Sequence, residues 1–169
     1  APHDAAINEL AGDIALDRWT LAPENASSTA LNAAARTAFT RALSTDPVRQ
    51  GALIGLLLTE KNRAFELIWT EDRPRDAVPV LEAALARLDA ATIDAAHRED
   101  AQQLRVNLLN RLGDARYYSE DYKGSLATFR QAQAVIEGEL AKRETLAWLA
   151  RRGESHWYVS GALEDNDAT

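Results

Sequence analysis

The sequence predicts an all-α fold in which six to seven helices form antiparallel pairs and stack as a solenoid, within one domain spanning residues 1–169. Three observations lead there. Alanine is the commonest residue, Leu, Arg, Glu and Gln fill much of the remainder, and no stretch alternates apolar and polar residues as a half-buried strand would. Apolar positions recur at three- and four-residue spacing between polar breaks. A ten-residue pattern also appears twice, 40 residues apart, which is the signature of a stacked repeat.

The elements follow in order. From Asp4 to Trp19, residues Ile7, Leu10, Ala11, Ile14 and Trp19 define a first helix, broken by Ala22, Pro23 and Asn25. Ser27 or Ser28 is expected to cap a second helix, whose stripe is Leu31, Ala35, Ala38, Phe39 and Ala42 and which ends near Ser44. Asp46 and Pro47 together predict the start of a long third helix through Leu53, Leu57, Ala64, Ile68 and Trp69. Gly51 and Gly55 share one face of it, a spacing that suits close helix packing in a core. A polar turn at 71–76 precedes a helix carrying Ala77, Leu81, Ala84 and Leu88. Asp94 is expected to cap the next, with Leu104, Leu108, Leu109 and Leu112, running through Gly113 to Tyr118. After Asp121 comes a helix with Leu126, Phe129, Ala132 and Ile136, and a last one starts near Glu144 and carries Leu146, Leu149, Trp157 and Tyr158.

Bulk properties exclude several functions. A 169-residue chain with 46% hydrophobic and 27% charged residues is large and apolar enough to build a core. Its net charge of −7 repels phosphate, and no basic patch offsets it, so nucleic acid is not an expected partner. The longest apolar run, 52–58, is far short of the ~20 residues that cross a bilayer, so no membrane insertion is expected of this segment. The lack of cysteine removes disulfides, thiolate nucleophiles and sulfur-ligated metals and leaves the compartment open, cytoplasmic or extracytoplasmic. Methionine is absent even at position 1, so the chain reads as processed or as part of a larger protein. The Ala, Arg and Leu bias with little Lys points to a GC-rich bacterial source.

The recurring pattern matches Leu109, Arg111, Gly113, Asp114, Ala115, Tyr117 and Tyr118 with Leu149, Arg151, Gly153, Glu154, Ser155, Trp157 and Tyr158. Leu109, Leu112, Gly113, Ser125, Phe129 and Ala132 stand in the order of the tetratricopeptide (TPR) family, which the chain resembles in a long-helix version. Departures are the period, against about 34 residues in that family, Arg116 where an aromatic is usual, and the absence of a proline at the repeat end. On that resemblance, 97–141 is the best repeat, 51–90 a degenerate one with Ala64 in the glycine's place, 144–169 a partial one, and 1–45 a helix pair or cap.

In such a solenoid the first helix of each pair lines a concave groove that binds peptides or proteins. The resemblance therefore assigns partner binding to Asn107, Asn110, Asp114, Tyr117 and Tyr118, and to Ala147, Ala150, Glu154, Trp157 and Tyr158, with Trp69 extending the row. Aromatics offer contact area at low entropy cost, Asn can bond an extended backbone, and the acids favour a basic or amine-bearing partner. Gap filling between helices is the other reading of Tyr117 and Trp157. His3, His97 and His156 are too scattered for a metal site, no cofactor is expected, and no Gly-rich phosphate loop, nucleophile elbow or His-Glu-x-x-His element appears. Asp114 and Glu154 recur at equivalent repeat positions, which favours architecture or partner charge over an acid–base pair, so an enzyme is not expected. The leading expectation is a protein- or peptide-binding scaffold, the interaction or sensor part of a larger bacterial protein. A small-molecule-binding helical sensor with a pocket near Trp69, Tyr117 and Trp157 is the alternative, and self-assembly a third; the oligomeric state stays open.

Overall fold

A computed structural model describes residues 2–21 and 26–167, and every structured segment among them is helical. The order is α1 (Pro2–Leu21), α2 (Ala26–Thr45), α3 (Gln50–Phe65) with a π-helical continuation (Glu66–Thr70), α4 (Pro74–Ala90), α5 (Arg98–Tyr118), α6 (Tyr122–Lys142) and α7 (Leu146–Asp167). Each helix packs on the next in sequence, and α3 also touches α1 and α5. α1, α3 and α5 thus lie side by side, backed by α2 and α4, and α7 packs on α6, with Arg151 of α7 bonding across to Asn107 of α5. This is the expected all-α helical solenoid with seven helices among the described residues.

Aromatic rings seated on small residues hold the stack together. Phe39 of α2 is fully buried and lies against Gly12 of α1 and Gly55 of α3, where a Cβ would run into its ring. Phe129 of α6 covers Gly113 of α5 in the same way, and it clusters with Leu126 and Ala162. Glycine at these two crossings lets the ring approach the helix backbone. Between these ends Leu57, Leu67, Ile68, Leu81, Leu104, Leu108 and Leu112 form the largest core, joined by the fully buried Ala64 and Ala77. Gly153, the sequence counterpart of Gly113, faces nothing within 4 Å.

Local signals explain the boundaries, with three shifts from expectation. The break expected at 22–25 lies outside the described residues, and α2 is under way by Ala26, which puts Ser27 and Ser28 inside its first turn. Asp46 does not start α3: its amide bonds the Ala42 carbonyl at 2.8 Å, closing α2, and the helix begins at Gln50 after a turn. Asp94 acts before the helix it was expected to cap, accepting from the His97 amide at 3.0 Å so that α5 starts at Arg98. Asp121 does cap α6, accepting from the Gly124 amide at 3.0 Å. At the C-terminus of α5, Glu120 adopts φ 69°. Its amide bonds Tyr117 and that of Asp121 bonds Arg116, both at 2.9 Å, a Schellman ending made without glycine. Asp72, φ 53°, turns the chain after the π-helical segment.

Candidate functional site

The face of α3, α5 and α7 carries a partly buried cation, a partly buried acid and a band of rings. Arg111, on α5, extends its guanidinium over Trp69, 4.2 Å from that ring's centroid and 5.4 Å from Phe65. Its Nη1 bonds Asp114 Oδ2 at 3.1 Å, the i,i+3 spacing that places both on one helix face. The π-helical continuation of α3 extends that helix past Phe65, and its Trp69 meets Phe65 with centroids 4.9 Å apart and Tyr118 edge-on at 6.0 Å.

Asp114, Tyr117 and Tyr118 on α5, and Glu154, Trp157 and Tyr158 on α7, are two copies of one triplet: an acid followed three and four residues later by rings. Tyr117 and Tyr118 meet nearly perpendicular at 5.4 Å, and Trp157 and Tyr158 make a second corner at 5.2 Å. Tyr158 stacks on Phe129 at 4.9 Å, so α6 fixes its position. Between the corners is an open pocket of about 220 Å³ lined by Asp114, Tyr117, Tyr118, Phe129, Trp157, Tyr158, Gly161 and Ala162. Trp157 is 73% exposed and Tyr118 54% exposed, so both rings are accessible.

The charges are perturbed because they are desolvated. Burial, reinforced by Glu154 and opposed by Arg111, raises Asp114 to about 7. Burial also lowers Arg111, against the attraction of Asp114, Tyr158 and Glu154. Lys61 on α3 is lowered by burial and then by Arg111. Tyr158 is raised by burial and by the two carboxylates.

Of the residues selected from the sequence, Asp114, Tyr117, Tyr118, Trp157 and Tyr158 meet at this pocket. Glu154 stands one turn before Tyr158 and acts on Asp114 through its charge, while Trp69 joins through Tyr118. Asn107 and Asn110 lie apart from it. Asn107 Oδ1 accepts from Arg151 Nη1 at 2.8 Å, tying α5 to α7. Asn110 is buried, 9% exposed. The site also holds Arg111, Phe65 and Gly161, of which Arg111 carries a signal in the sequence, its place in the repeated segment three residues before Asp114. Among the described residues no cluster of three or more His, Asp or Glu could hold a metal ion, and no helix is long and apolar enough to cross a membrane. Comparison of the chain with protein-family models, with curated proteins and with solved structures finds no match.

Proposed function

We propose that this chain is a protein- or peptide-binding scaffold that receives an extended partner segment across the face of α3, α5 and α7, acting by binding and not by catalysis. The observation that carries this reading is the open pocket between α5 and α7, preformed by two aromatic corners and fixed from behind by Phe129. Exposed Tyr and Trp beside a shaped recess are the common anchors of protein recognition. The TPR-like spacing around Gly113 and Phe129 agrees with it, since that family binds along the corresponding face. At about 220 Å³ the pocket is smaller than the ~300–1,000 Å³ of a typical small-molecule site, so it suits one side chain of a longer ligand better than a free metabolite.

Selection from a displayed random-peptide library tests this. Wild-type protein is expected to enrich a family of sequences, and the double variant Tyr118→Ala with Trp157→Ala, both exposed positions, is expected to lose them while keeping its helical circular dichroism. Equal retention by the folded double variant rejects the assignment of this face.

A further inference from the structure

We propose that the α5–α7 pocket takes a cationic side chain of the bound polypeptide, an ammonium or guanidinium head held among aromatic rings beside the carboxylate of Asp114. This rests on the binding-scaffold reading and names the chemistry of its anchor.

Arg111 supplies the internal precedent. The protein already seats one cation against aromatic faces, Trp69 and Phe65, with Asp114 as its counter-ion. The pocket beyond Asp114 repeats those ingredients: Tyr117, Tyr118, Trp157 and Tyr158 surround it, and the same carboxylate lines it. No basic residue is among its lining, so the negative ring faces have no resident cation there, and Asp114 has only Arg111, which reaches it from outside that lining. The volume of about 220 Å³ accommodates a charged head with a few methylenes and excludes a folded element. A chain of net charge −7 also attracts a basic segment at long range. An acidic side chain would be desolvated beside Asp114 and Glu154, and an aliphatic one would leave the partly buried carboxylate without a new partner.

Occupancy is coupled to a proton. The groups acting on Asp114 are Arg111 from its own helix and Glu154 from α7. Tyr158 of α7 stands beside it, α6 contributes the uncharged Phe129, and Lys61 of α3 lies one step away, within the field of Arg111. Burial, with Glu154, outweighs Arg111 and leaves Asp114 titrating at about 7. A second cation favours the carboxylate further, so binding strengthens as the pH rises from 6 to 8, by up to about tenfold.

The test uses three short peptides that differ at one central position, lysine, trimethyl-lysine or norleucine, which keeps the lysine carbon chain and lacks the ammonium, titrated into 15N-labelled full-length protein. The indole N–H of Trp157 and the amide of Gly161 report on the pocket. Both charged peptides are expected to shift these signals saturably, with norleucine about tenfold weaker or more. Glu154→Gln, at an exposed position, should weaken the charged peptides, and Asp114→Asn should do so and flatten the pH dependence. Equal binding of norleucine and lysine overturns the inference while leaving the scaffold reading intact, as does a display-selected peptide indifferent to replacing its Lys and Arg by norleucine. Failure of the library to enrich any peptide removes the scaffold reading instead. Pocket signals that no peptide moves overturn the cation assignment alone.

Discussion

Replacing Asp114 by Asn should change how stability responds to pH more than it changes stability at any one pH. In the folded chain burial holds the Asp114 carboxyl at about 7, against the ordinary 3.8. An acid whose pKa is raised on folding keeps its proton longer in the native state. Its contribution to stability is therefore fully present below pH 3.8 and is lost as pH rises through 7. The whole range is worth roughly 4 kcal/mol at 1.36 kcal/mol per tenfold change in proton affinity. The part between pH 5 and pH 8 is about 2.5 kcal/mol, because at pH 5 the unfolded chain has already released its proton. Asparagine has the same shape and no titration, so Asp114→Asn lacks this slope, and the double difference cancels groups titrating alike in both proteins. Urea unfolding of wild type and Asp114→Asn at pH 5 and pH 8 measures it. Wild type should lose about 2.5 kcal/mol more than the variant over that interval. Parallel pH profiles, within about 0.5 kcal/mol, would refute a desolvated Asp114 and remove the basis for proton-coupled occupancy.

Two further outcomes test the architecture by chemical denaturation. Gly113→Ala and Gly153→Ala should act with opposite sign: the first drives a methyl into the Phe129 ring and should cost about 1–3 kcal/mol, while the second meets open space inside α7 and should gain about 0.5–1 kcal/mol. Glu120→Gly relieves a left-handed residue at the end of α5 and should stabilise by several tenths of a kcal/mol, whereas a loss would mean that the Glu120 side chain contributes something its backbone geometry does not explain.

What the sequence could and could not convey turns on the range of each interaction. The pairing of Gly113 with Phe129 was legible through the TPR resemblance, because both ends lie in one helical hairpin and stand in the order of that pattern. The acid and two rings of each triplet were legible for the same reason, since i, i+3 and i+4 positions share a helix face wherever that helix goes. Asn107 and Asn110 share their helix with the triplet, but one bonds across to α7 and the other is buried, and neither lines the pocket. A single helix's pattern cannot fix which neighbour its flank will meet. Arg111 was visible as a member of the repeat but its role was not, because its rings come from α3 and its continuation, more than 40 residues earlier. Asp46 and Pro47 show the converse: the signal for a helix start was present, but the end of α2 claimed the Asp46 amide first. Gly153 carries this furthest. Its sequence neighbourhood repeats that of Gly113, yet the ring that gives Gly113 its purpose has no counterpart on α7 among the described residues. On α5, Phe129 fills the space over the glycine; on α7 the space beside Gly153 is open, and Trp157, four residues on, is exposed and lines the pocket.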